Sequence, residues 1–149
     1  MDRMSVLDPD NAEFFQANYM DFQSRLQEVL SSWQADLNKL QSIDIIVHHD
    51  QWVYLNRWLG LNQLATLEPL PGVPPTARHL SSLKNLPAQL VIRANFKSDK
   101  GSTWLKRNSS VCEVVLPYTV GGNESSVDLI TLYRSIIDLL LAQLECGPS

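Results

Sequence analysis

Ser42-Ile43-Asp44-Ile45-Ile46-Val47-His48-His49-Asp50, running on into Gln51-Trp52-Val53-Tyr54-Leu55-Asn56-Arg57-Trp58-Leu59-Gly60, is the stretch that decides the fold. Ile43 to Val47 is a short apolar run rich in β-branched residues, which packs best as a strand buried on both faces. Trp52 to Leu59 then reads as a helix, and Gly60 closes it, because only glycine enters the left-handed C-terminal cap without a Cβ penalty. A buried strand followed by a short helix is half of a βαβ unit, so a parallel sheet is expected.

Downstream the same alternation returns. Leu64 to Leu67, Gln89 to Ile92 and Val111 to Leu116 read as three more strands. Thr76 to Leu83, with Thr76 as N-cap, and Ser98 to Arg107 read as the helices between them. A last helix from about Ser125 to Glu145 places Ile130, Tyr133, Ile137, Leu140 and Leu144 on one face, after a flexible Val120-Gly121-Gly122 turn. Pro69 to Pro75, with four prolines, is a stiff loop between strand and helix. The expected fold is therefore α/β, a four-stranded parallel sheet sandwiched by helices.

Upstream, Asp8-Pro9 opens a helix as N-cap and first-turn proline. Phe15, Tyr19, Phe22, Leu26, Val29, Trp33, Leu37 and Leu40 recur at steps of three and four, one face of a continuous helix over residues 9–40. Such a helix would be about 48 Å long, more than one small domain needs. It is either half of a coiled coil or a strut along something larger. Residues 1–41 are thus read as a long linker helix and 42–149 as the α/β lobe.

Composition narrows the function. The chain has 149 residues, 44% of them apolar, which suffices for one core. Twelve Lys and Arg against sixteen Asp and Glu give a net charge of −4, so no broad basic surface is available for nucleic acid or an anionic membrane. The most apolar stretch, Val127 to Leu144, is interrupted by Asp128, Arg134 and Asp138, so no segment is expected to insert in a bilayer. Met1 to Ser5 shows neither the apolar core nor the cleavage site of a secretory signal. Cys112 and Cys146 lack zinc-site spacing; one bridge between them would need an oxidising compartment, and Cys112 alone reads as a small core residue.

In a parallel sheet, ligands bind outside the carboxyl ends of the strands. His48-His49-Asp50 follows the first strand, Glu68-Pro69 the second, Arg93-Ala94-Asn95 the third and Pro117-Tyr118-Thr119 the fourth. Imidazole with carboxylate suits zinc or manganese, and a ligating histidine commonly has an acidic neighbour that fixes its tautomer. Neighbouring residues on a strand face opposite ways, so His48 and His49 share a site only if the strand has already ended. The plainer alternative is that both cap a strand end. His79 reads as a boundary histidine on a helix.

Several ordered segments carry a family likeness. Asp8-Pro9-Asp10-Asn11-Ala12-Glu13-Phe14-Phe15 with Asn18 and Phe22 is similar to the start of the long backbone helix in the metal-binding receptors of bacterial ABC importers. Val47-His48-His49-Asp50-Gln51-Trp52-Val53-Tyr54 and Trp58-Leu59-Gly60-Leu61 resemble that family's His-Asp-x-x-x-Tyr and Tyr-Gly-Leu elements, and Glu68 to Thr76 its proline loop. The resemblance covers nearly the whole chain in order. It implies an extracytoplasmic, periplasmic receptor for Zn2+ or Mn2+ that serves a membrane permease, with the ion held between two lobes joined by the long helix. This chain then corresponds to the strut and the C-terminal lobe, with the N-terminal lobe absent.

On that mapping His49 is the C-lobe ligand, and Asp50 beside it either orients that ligand or caps the following helix. Where many members carry an acidic ligand this chain has Arg93 and Pro117-Tyr118, which leaves Glu68 the nearest replacement and His48 a further candidate. Arg93 is expected to pair with Glu68 or Asp50. Leu116-Pro117-Tyr118-Thr119-Val120-Gly121-Gly122 resembles one branch of the family. The expected function is metal capture without catalysis, with binding weak or absent in this lobe alone. Two rivals are a metal-dependent hydrolase using His48, His49, Asp50 and Glu68, and a metal-independent module that pairs through the long helical stripe.

Overall fold

Four strands, β1 Asp44–Val47, β2 Asn62–Thr66, β3 Leu90–Ala94 and β4 Cys112–Leu116, form a single parallel sheet in the order β2-β1-β3-β4. The structure, a computed structural model, describes residues 2–146. Its helices are α1 Asp2–Leu7, α2 Ala12–Ser32, α3 Gln34–Leu40, α4 Val53–Leu59, α5 Ala77–Leu83, α6 Lys100–Asn108 and α7 Leu129–Leu144. By contact the chain divides into two compact units, Met1–Ala35 and Asp36–Ser149.

In the second unit the strands are what their sequences predict. Ile45, Val47, Leu90 and Ile92 are fully buried, as residues of central strands covered on both faces must be. One face presents Ile46 and Val91, paired in register, to Leu80 and Leu83 of α5 and Leu105 of α6. By alternation along the strand Ile45 and Val47 point the other way. β2 lies at the edge and begins at Asn62, two residues before the expected Leu64. It carries its polar residues where solvent is near.

The helix ends follow local chemistry. Gly60 caps α4 at φ 70°, as its position predicts. The Thr76 side chain accepts from the His79 N–H at the start of α5. α7 starts at Leu129, four residues beyond Ser125, because Asp128 and Thr131 form a reciprocal capping box there. Cys112 is bridged to Cys146 with a Cα–Cα distance of 6.1 Å, so it is a cross-link from β4 to a position two residues past α7 and not merely a small core residue.

The first unit corrects one expectation. The expected long N-terminal helix is present as α2, but it does not run unbroken over residues 9–40: Pro9–Asn11 form a 3-10 turn, α2 ends at its cap Trp33 before α3, and α1 is a separate helix ahead of Pro9. A residue before proline is pushed out of the helical region, and Asp8 at φ −139°, ψ 79° obeys, so α1 must stop there. Asp8 makes no side-chain cap; it accepts from the Asn11 amide at 2.8 Å. At the other end the Ser31 and Ser32 hydroxyls donate back to the carbonyls of Gln27 and Val29, the competition with the backbone that disfavours serine in helix interiors. No residue of α2 is fully buried. No helix among the described residues is long and apolar enough to cross a membrane.

Candidate metal centre

The order β2-β1-β3-β4 makes the chain leave β1 toward one side for β2 and reach the other side for β3, so the crevice beyond the end of β1 is the switch point where ligands of parallel sheets bind. β1 ends at Val47, and the next residues are bends. The backbone of His48 is still gripped from both sides: its N–H donates to Ile92 and its carbonyl accepts from Glu68. Because regular strand geometry stops at Val47, both histidines converge on one carboxylate.

That carboxylate is Glu68, buried with 8% of its side chain exposed. His49 Nδ1 lies 2.7 Å from Glu68 Oε2, and the Gly72 N–H donates to the same oxygen at 3.0 Å. Lys97 Nζ donates to Oε1 at 3.2 Å, and His48 Nε2 stands 3.4 Å from that oxygen. The proline loop is what supplies Gly72. Pro71 and Gly72 hold the middle of a turn closed by the Val73 N–H on the Leu70 carbonyl, and Gly72 takes the positive φ of 78° that such a turn requires. Thr66 Oγ1 donates to the Glu68 carbonyl at 2.7 Å and fixes the backbone beneath.

Burial alone would raise the Glu68 pKa, but the Gly72 N–H, the His49 ring and Lys97 overcome it and bring the group from 4.5 down to about 2. Glu68 is thus an ionised acceptor with nothing to donate. Nδ1 of His49 must then carry the proton, and in the neutral ring the lone pair sits on Nε2, which no described residue engages. His49 keeps 27% of its side chain exposed, whereas His48 keeps 8%. Burial pushes the His48 imidazole below its ordinary value, against the pull of Glu68 and with Lys97 and Arg93 adding to the fall. Its Nδ1 is buried without a hydrogen-bond partner among the described residues.

The remaining candidates sit apart from this cluster. Asp50 accepts from Gln63 at 3.0 Å rather than reaching His49, and it does not cap α4, whose N-cap is Trp52. Arg93 turns to Glu113 on the neighbouring strand at 2.9 Å and donates to the Lys97 carbonyl; it contacts neither Glu68 nor Asp50. Strand pairing explains this, since Arg93 and Glu113 lie on adjacent strands of one sheet. His79 holds the Thr66 carbonyl at 3.0 Å through Nε2 from the edge of the domain.

Two features escaped the sequence reading. Lys97 lies three residues past β3, in the strand-end region that should have been searched, but an isolated lysine carries no motif. The others are aromatic: Tyr118 meets both Trp52 and Phe96 edge-on at 5.4 Å, tying together the loops after β1, β3 and β4. Among the described residues no group of three or more His, Cys, Asp or Glu is arranged to hold a metal ion. What this edge holds is one imidazole oriented by a buried carboxylate.

The fold is that of one lobe of solved metal-ion substrate-binding proteins. The chain belongs to the family described as zinc-uptake complex component A, periplasmic, whose model matches residues 1–140. It is 29% identical over 77 residues to the high-affinity zinc uptake system protein ZnuA of Bacillus subtilis, covering 52% of this chain and 24% of that protein. It is 24% identical over 147 residues to the zinc-binding protein AdcA of Streptococcus pyogenes serotype M3, covering 93% of this chain and 28% of that one. The chain therefore spans about a quarter of the length of these relatives.

Among solved structures, a crystal structure of ZnuA superposes with a TM-score of 0.68 at 23% identity, over 97% of this chain and 53% of the other. The substrate-binding protein FpvC of Pseudomonas aeruginosa, solved with Ni2+, does so with 0.72 at 25% identity, over 99% and 57%. The family is one of uptake components and not of enzymes, so neither the hydrolase nor the helix-pairing alternative is favoured.

Proposed function

We propose that this chain is the linker and C-terminal lobe of a periplasmic receptor that captures Zn2+ for an ABC importer, with Mn2+ the second choice, and delivers it to the membrane permease. The observation that carries the reading is His49, whose ring is held by the buried Glu68 while its Nε2 remains unused at the switch point. A carboxylate on one ring nitrogen and an open second nitrogen is how proteins prepare a histidine for a metal. Imidazole favours zinc over manganese, and relatives named for zinc uptake and zinc binding agree with that choice. The Cys112–Cys146 bridge suits an oxidising, extracytoplasmic compartment.

In this reading His49 is the ligand and Glu68 its orienting carboxylate, while His48 walls the site from within. Zinc prefers four ligands, so the others come from an N-terminal lobe beyond this chain, and the chain alone binds weakly. Calorimetric Zn2+ titration of this chain, and of a longer form joined to that lobe, tests the idea. The longer form should bind far more tightly, and Glu68→Ala should weaken it by about 10–100-fold, with His49→Ala weakening it at least as much. Equal affinities for the two forms, or full affinity after His49→Ala, would refute it.

A further inference from the structure

We infer that Lys97 is a resident, covalently tethered cation that reserves the Glu68 carboxylate and so makes the edge selective for imidazole-seeking ions over hard, oxygen-seeking ones. The inference rests on the proposed role of His49 and adds a specificity-determining residue to it. A carboxylate presents about four lone-pair directions. In Glu68 every one has a claimant: His49 and the Gly72 N–H on Oε2, Lys97 and His48 on Oε1. Among these only Lys97 is a permanent charge. Its ammonium sits 3.2 Å from Oε1 with 25% of its side chain exposed, so it stands between a buried anion and solvent.

Chemistry makes this position matter. A free, ionised carboxylate is the donor that Mn2+, Mg2+ and Ca2+ seek, whereas a neutral imidazole suits Zn2+ and Ni2+. With Lys97 in place, an arriving hard ion finds the negative charge already matched. Taking Lys97 away would expose Oε1 to cations from the solvent side and leave His49 Nδ1 bound to Oε2. The effect should be larger for manganese than for zinc. General electrostatic attraction raises both, so the ratio of the two affinities isolates the donor chemistry.

The experiment uses the longer form joined to the N-terminal lobe, in which the proposed site is complete. Mn2+ binding is read from loss of the free-ion electron paramagnetic resonance signal, and Zn2+ binding by competition with a chromogenic chelator. Lys97→Met and Lys97→Gln should each lower the zinc-to-manganese affinity ratio by about tenfold, and Lys97→Arg, which keeps the charge, should hold it within about twofold. Lys97→Met combined with Glu68→Gln should lose the manganese gain, because the gain runs through the carboxylate. A ratio unchanged in both neutral variants, while wild-type zinc binding still depends on His49, overturns the inference and leaves the proposed function standing. If His49→Ala leaves zinc binding by the longer form at full affinity, the proposed function fails and this inference falls with it.

Discussion

Breaking the Cys112–Cys146 bridge should cost the lobe about 4 kcal/mol of stability. The bridge closes a loop with a sequence separation of 34, and the loop-closure entropy withheld from the unfolded chain at that length is about 13 cal/mol/K, or about 4 kcal/mol at 25 °C. Cys146→Ala is the right perturbation, because Cys146 is exposed and its truncation opens no cavity, whereas Cys112 is only 3% exposed and its loss would add a packing term. Urea unfolding followed by fluorescence of the buried Trp52 reports on the lobe. With a slope of about 2 kcal/mol/M, the midpoint should fall by about 2 M. Wild-type protein treated with a thiol reductant should shift by the same amount, and reductant should not affect the variant. A midpoint within about 0.3 M of wild type, in either experiment, would show that the unfolded chain gains nothing from release of the loop and would refute the reasoning.

Acid should destabilise the lobe in two stages. His48 is held below its ordinary 6.5 by burial, so as pH falls through 6.5 the unfolded chain takes up a proton that the folded one resists. Glu68 has its folded value depressed from 4.5 to about 2, so its contribution is complete above 4.5 and is lost as pH falls toward 2. In Glu68→Gln the lower stage should shrink, leaving what Asp36 contributes, since its hydrogen bonds from Lys39 and Arg134 also hold its carboxyl below the ordinary value; an unchanged lower stage would contradict the assignment. Asp128→Ala removes the acceptor for the Thr131 N–H and should destabilise by about 1 kcal/mol in the same urea assay, and Asp128→Asn by distinctly less.

The sheet was legible because Ile45-Ile46-Val47 and Leu90-Val91-Ile92 are buried on both faces and must be apolar throughout. β2 was placed late because an edge strand can begin on Asn62 and Gln63, which carry no apolar signal. The break in the long helix at Trp33 was hidden because a stripe of apolar residues reports which face is covered and not whether the backbone is continuous; Ser31 and Ser32 were the readable marks. At the candidate site, the strand-end rule found His48, His49 and Glu68 together. It could not find how Glu68 divides its two oxygens, since that depends on a loop turn at Gly72 and on Lys97, neither of which has a sequence pattern. Arg93 was misjudged for a related reason: a cross-strand partner, Glu113, lies 20 positions away.

The clamp on the His49 ring has a kinetic consequence. A side chain that must be ordered on association commonly forfeits about 0.5–1.5 kcal/mol, but this imidazole is already oriented before any ion arrives. In the proposed role, encounter at this edge would ask for little rearrangement of the ring, and speed would be governed by how quickly the ion sheds its water and how the rest of the coordination sphere closes over it.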